Sequence, residues 1–283
     1  ESRGLGDVYK RQFLHETDNY AWYQGGRNLF ENTPINAGTS KTYILENSSP
    51  CQGMRTVYAN VTAGQATTVQ IKINGSDTRT FTMSFGEYDH GKSVSMTYSN
   101  AYASPSDTVT ITTVSGGPVR LDYISVTQEE PRPRPTLSGR EFSVPEYVYN
   151  ITNQNHHADE AADMIIIVPT SAALTAQAER IKKLHEEKDG MRVRIVPADE
   201  LYNEFSSGTP DANAYRRYLK MLYDRAETEA DMPSHLLLFG DCVWDNRMNT
   251  QECSSLNPDD FLLCHESENS FSATDCYVDD GFF

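Results

Sequence analysis

Three short apolar runs limit what this chain can build: residues 164–168 (MIIIV), 192–196 (RVRIV) and 236–239 (LLLF). The first and third are too short for a helix and too apolar for a half-exposed strand. They read as strands buried on both faces. Helix-length segments separate the three runs. Thr170 or Ser171 can cap a helix running to about Asp189, with Leu174, Ala178, Ile181 and Leu184 on one face and Gly190 as its stop. A short helix near 198–205 ends before Gly208 and Pro210. Asp211 or Asn213 then opens a longer one through about Glu227, with Tyr215, Leu219 and Leu222 facing inward. Strand–helix–strand–helix–strand with these lengths requires parallel pairing through right-handed crossovers.

Residues 13–128 follow a different grammar. The run 67–74 (TTVQIKIN) alternates polar and apolar residues, and Gly75, Ser76 and Asp77 supply turn chemistry. Further strands are expected at 56–61, 80–85, 93–98, 108–113 and 119–126. Short strands rich in Thr, Val and Tyr, punctuated by Gly, Asn and Ser, predict an antiparallel β-sandwich. Residues 129–162 connect the two halves, and the proline-rich run 131–135 (PRPRP) favours an extended linker. The α/β half then covers 163–283. The first twelve residues, ESRGLGDVYKRQ, do not match the rest in pattern and are set aside as a non-native leader.

The net charge of −16 argues against a nucleic-acid partner, because neutralising phosphates needs clustered Lys and Arg. No stretch of eighteen apolar residues offers a membrane-spanning helix. Cys51, Cys242, Cys253, Cys264 and Cys276 form no CxxC pair, match no zinc spacing and leave the redox compartment undecided. Sequons at Asn47, Asn60, Asn74 and Asn150 are of a kind that arises by chance in Ser/Thr-rich strands.

The chemistry-bearing candidates gather after the third apolar run. Asp241 follows Gly240 at a strand end, where open α/β sheets place their ligands; the plainer reading is turn chemistry. Cys242 stands beside it, but a nucleophile needs a base in reach, and His235 begins the same strand at its far end. From Asp241 onward there are ten acids and one base, Arg247. Asp241, Asp245, Asp279 and Asp280 are the candidate cleft carboxylates. The pairs Asp259-Asp260 and Asp279-Asp280 could supply oxygen ligands to calcium, although no EF-hand loop is present and solvated acidic loops account for them as well. Trp244 and Phe261 either line a cleft or pack under these loops. His156 and His157, with Asp159, Glu160 and Asp163, lack helical metal-ligand spacing and read as polar contacts where the linker enters the α/β half.

Two blocks carry a resemblance. YNITNQNHHAD (149–159) leads into DMIIIVPTS, and the text continues through QAERIKKLHEEKDGMRVRIVPADELYNEFSSGTPDANAYRRYLKMLYDRA to LLLFGDCVWDNR and YVDDGFF. This resembles the gingipain-type cysteine peptidases, most closely their secretion-signal peptidases, and the VRLDYISVT run (119–127) is similar to the β domain that precedes the peptidase region there. The resemblance implies a caspase-like α/β domain and a His–Cys dyad forming a thioester. It implies removal of C-terminal signals from type IX secretion cargo and transfer of that cargo to lipopolysaccharide. An exported enzyme at the outer surface of a Gram-negative cell, working with other secretion components, would follow.

The family's Gly-His-Gly motif occurs nowhere in the 283 residues, and no cysteine matches the nucleophile's context. Both catalytic groups are therefore expected beyond Phe283, with the α/β domain incomplete and the chain alone inactive. Cys242, where a small residue is expected, and the terminal VDDGFF depart from the family text. The alternative is a non-catalytic surface module whose β-sandwich binds glycan or secretion components.

Overall fold

Strand β4 (Thr67–Ile73) shows why the first half folds as it does: Thr67, Val69, Ile71 and Ile73 are buried while the residues between them are more exposed. A period of two with one apolar row requires a second sheet to cover that row. In this computed structural model two four-stranded antiparallel sheets supply each other's cover. The structure describes residues 11–25, 27–46, 54–75, 77–100, 106–128, 144, 146–147, 153–171, 173–266, 271 and 278–279.

The strands of the first half are β1 (Arg11–Glu16), β2 (Ser40–Glu46), β3 (Arg55–Ala63), β4, β5 (Asp77–Met83), β6 (Lys92–Asn100), β7 (Ser106–Gly116) and β8 (Val119–Gln128). One sheet runs β1-β8-β3-β6 and the other β2-β7-β4-β5. Their inner rows, including Val57, Val61, Met96 and Ile124 from one and Val69, Ile71, Val109 and Ile111 from the other, form one core. All six predicted strands are present. Two further ones, β1 and β2, lie at sheet edges, and β1 takes in Arg11 and Gln12 of the segment set aside as a leader.

The second half contains β9 (Met164–Val168), α1 (Thr175–Asp189), β10 (Val193–Pro197), α2 (Ala198–Phe205), α3 (Asn213–Arg225), β11 (His235–Leu238), and a two-residue pair β12 (His265–Glu266) and β13 (Val278–Asp279). The sheet order is β10-β9-β11, all parallel. Every residue of β9 is buried, as its composition demands. Ile165 and Ile167 face α2 and α3, whereas Met164, Ile166 and Val168 face the α1 side with Ala178. Helices thus cover both faces. Asp163 pins the strand starts together: its carboxylate accepts from the Arg192 amide at 2.7 Å and from Arg192 Nη2 at 2.6 Å.

Two expectations for α1 fail. It starts at Thr175 with Leu174 as its cap residue, not at Thr170 or Ser171, which lie in the turn before it, where the Ser171 amide donates to the carbonyl of Asp259 at 2.8 Å. Leu184 is 45% exposed. Gly190 does end it, in the left-handed conformation at φ 66°. Helix α3 ends at Arg225, and Tyr218, which the periodicity did not single out, is fully buried with Tyr215.

By contact the chain divides into one unit of 1–146 with 268–276 and another of 147–267 with 277–283. Phe271 therefore belongs with the sandwich, where its ring stacks on Phe30 at 5.7 Å and its carbonyl accepts from the His90 amide at 2.6 Å.

Candidate functional site

Helix α1 lies on one face of the sheet and α2 with α3 on the other, while β10 and β11 flank β9 on opposite sides. The chain therefore reverses its winding between β9 and β11. In open parallel sheets the crevice outside the carboxyl ends of two such strands is where ligands bind. Here that edge is formed by Pro169 after β9 and by Phe239, Gly240 and Asp241 after β11.

Gly240 is required by close approach. A Cβ there would sit 2.8 Å from Pro169 Cγ and 3.3 Å from Leu262 Cγ. Phe239 extends the pairing of β11, its amide donating to Ile167 O at 2.9 Å. Past the glycine, the Asp241 carbonyl accepts from the Leu262 amide at 2.9 Å, and Cys242 bridges Leu262 in parallel. The loop that follows is thereby folded back to widen this edge.

The candidate carboxylates separate. Asp241 is exposed at the edge, and its Oδ1 accepts from the Cys242 amide at 2.9 Å. Asp245 is 4% exposed and faces inward, with Oδ2 accepting from the Thr250 amide at 2.7 Å and Oδ1 from the Arg247 amide at 3.2 Å. It organises the loop. Asp279 lies in β13, whose backbone pairs with His265. Asp280 lies outside the described residues. Among the described residues no group of three or more His, Cys, Asp or Glu side chains is placed to hold a metal ion.

Cys242 is exposed, whereas Cys253 and Cys264 are buried. Burial and the neighbouring Glu266 push the Cys264 thiol far above the ordinary thiol range. Its sulfur lies 3.4 Å from Val243 O and 3.6 Å from Glu266 Oε1. Such a thiol stays protonated and is a poor nucleophile.

Sequence reasoning missed Asn246 and Tyr215. Asn246 clips the loop by bonding both backbone groups of Cys264, from Nδ2 to O at 2.9 Å and from N to Oδ1 at 3.2 Å. The Tyr215 hydroxyl shares a 2.5 Å hydrogen bond with Tyr202 and accepts from the Leu263 amide at 3.2 Å. An asparagine in a loop and a tyrosine on an apolar helix face carry no signal of such partners.

At the entry to this unit, the two histidines diverge. His156 bonds Asp159 Oδ2 through Nδ1 at 2.9 Å and Glu200 Oε2 through Nε2 at 2.7 Å. Glu204, one helical turn along α2 from Glu200, accepts from Gln154 Nε2, from the amides of His156 and His157 and from His157 Nδ1. Burial opposes the charged imidazolium of His156, but the two carboxylates outweigh it and raise its pKa. Burial likewise works against the Glu204 carboxylate, yet its donors bring it down to about 2.

A parallel sheet wound on both faces, with its carboxyl edge built by a glycine-aspartate strand end, defines an open α/β domain of the kind that binds ligands at that edge. Residues 157–282 match the profile of peptidase family C25. Among solved structures, dimeric latent PorU from Porphyromonas gingivalis is similar over 99% of this chain, at 22% identity and a TM-score of 0.75; the chain spans 34% of that structure's length. At this identity the likeness establishes a shared fold. A family 35 carbohydrate-binding module from Cellvibrio japonicus aligns with 46% of the chain and 92% of its own length, at 16% identity and a TM-score of 0.28, too low to bear on function. No curated protein sequence matches the chain.

Proposed function

We propose that this chain is part of a caspase-like cysteine endopeptidase and transpeptidase that cuts C-terminal secretion signals from type IX cargo and passes the cargo to lipopolysaccharide at the outer surface of a Gram-negative cell. The observation that supports this reading most directly is the family C25 match, laid over a parallel sheet whose switch-point edge is shaped by Gly240 and Asp241. In the proposed mechanism a thiolate attacks the scissile carbonyl, the departing signal peptide takes a proton from a histidine, and the thioester is resolved by a sugar amine or by water. The thiolate and histidine are assigned to sequence outside these 283 residues, because Gly-His-Gly is absent here and Cys264 is held protonated. Asp241 is then a group at the crevice mouth that orients substrate.

Sequencing the coding region past Phe283 tests this. A Gly-His-Gly strand end followed by a later strand leading into a cysteine supports the enzyme; a stop codon or an unrelated domain supports a surface module instead. The chain by itself should leave a fluorogenic signal peptide intact. Turnover abolished by Cys242→Ser would put the nucleophile at Cys242 and overturn the assignment.

A further inference from the structure

At one end of the sandwich the core changes character. The inward row of β3 reads Val61, Ala59, Val57 and then Arg55; that of β7 reads Ile111, Val109 and then Asp107. On β6, Met96 is followed by Tyr98 and Asn100, opposite Val57 and Arg55. These strands come from both sheets, and each turns from aliphatic to polar at the same end. Solvation does not account for the change, because Arg55 and Asp107 are only 3% and 1% exposed.

Arg55 Nη1 lies 3.1 Å from Asp107 Oδ2, and Asn74 Nδ2 donates to Asp107 Oδ1 at 2.8 Å. The Thr108 amide holds Asn74 in turn, donating to its Oδ1 at 2.9 Å. The pair is thus a fixed wall. Beside it lies a cavity of about 360 Å³, completed by Tyr98, Asn100 and Ser106. Desolvating two charges is unfavourable, and well-packed apolar residues would serve a core at least as well. An ion pair set into the core rows beside a cavity therefore calls for a role other than stability.

Among the described residues the wall's charges cancel, and the remaining lining offers hydroxyls, amides, one aromatic ring and Val57 without another ionised group. That combination matches a ligand with many hydroxyls, an apolar ring face and no net charge. The volume falls within the range of small-ligand pockets. We infer that this cavity is a binding site for a neutral saccharide unit, with Tyr98 packing on the sugar ring and Asn100 and Ser106 bonding its hydroxyls. The site lies wholly within the sandwich and does not depend on the peptidase reading.

Titrating the full 15N-labelled chain separately with glucose, galactose, mannose, xylose and N-acetylglucosamine tests it. Saturable shifts centred on Tyr98, Asn100 and Ser106 are expected for at least one of them. Tyr98→Ala should weaken that sugar by about tenfold or more. Ser106→Ala, which removes a single hydroxyl, gives a second variant that keeps the sandwich folded and should also weaken it. Absence of saturable binding by any of the five overturns the proposal, as does binding that both variants leave unchanged. Tighter binding of glucuronate or inorganic phosphate than of every neutral sugar overturns it too.

Discussion

Arg55 with Asp107 in the sandwich, and His156 with Asp159, Glu200 and Glu204 in the α/β unit, are both clusters of opposite charges, but their surroundings differ. Side-chain exposure is 3% and 2% for the first pair, whereas in the second it reaches 29% at Glu200. The second contains an imidazole whose charge depends on its neighbours. One cluster is a permanent fixture of a β core, and the other is a titratable clasp that fastens residues 154–159 to α2 and, through the 2.8 Å bond from Tyr218 to Asp159, to α3.

The sharpest way to break this contrast is to remove one partner from each. Asp107→Ala leaves a guanidinium buried without its counter-charge and should destabilise the sandwich by about 3–5 kcal/mol. The paired change Arg55→Met with Asp107→Leu should be neutral or stabilising, which distinguishes a cost of broken pairing from a cost of lost volume. Urea unfolding followed at sandwich residues measures both. A double variant as unstable as the single one would refute the desolvation argument.

In the clasp the corresponding change is smaller. Glu204→Ala abandons four donors that water can partly reach, so a loss of roughly 2–3 kcal/mol in the α/β unit is expected. Hydrogen exchange at the His156 and His157 amides should rise with it. If those amides stay protected, Glu204 is not what holds the entry segment.

The clasp should also respond to pH. His156 has a folded pKa raised above its ordinary 6.5, so its contribution is complete below 6.5 and fades as pH climbs through the folded value. Glu204 is shifted the other way, from 4.5 to about 2, so its contribution is complete above 4.5 and fades as pH falls toward 2. The clasp is therefore strongest between 4.5 and 6.5. His156→Gln should flatten the decline on the alkaline side, with the acid side intact. Thermal melts of both proteins across this range read the slopes; identical alkaline slopes would contradict the assignment.

Sequence period made the inner elements legible, and contact across the fold hid the rest. MIIIV could only be a central strand, and Gly190 could only end a helix. By contrast β1 and β2 escaped notice because edge strands bury less: Leu14 is 49% exposed and Ile44 is 65% exposed. The start of α1 was misplaced because Thr170 and Ser171 lie in a turn and no side chain caps the helix. Arg55 and Asp107 each look like an ordinary polar residue near a turn, and only the packing of one sheet on the other, which brings β3 and β7 together, makes them a buried pair. At the candidate site, Gly240-Asp241 was readable because position after an apolar strand is itself the signal. Yet β11 is a sheet edge with Leu236 37% exposed, not the fully buried strand its composition predicted. Which acid turned inward was not readable, since Asp241 and Asp245 share the same loop chemistry.

Those two acids extend the contrast to the crevice and carry the smallest expected effect. Asp245 takes two backbone amides out of solvent, so Asp245→Ala should loosen the loop by about 1–3 kcal/mol. Asp241 is exposed and accepts from the amide of its own neighbour, so Asp241→Ala should change stability by no more than about 0.5 kcal/mol. Its effect should appear instead in binding: fluorescence anisotropy with a labelled C-terminal signal peptide should show weaker capture by Asp241→Ala, at an unchanged melting temperature. If Asp241→Ala melts as early as Asp245→Ala, both carboxylates serve the loop, and the crevice must take its chemistry from other groups.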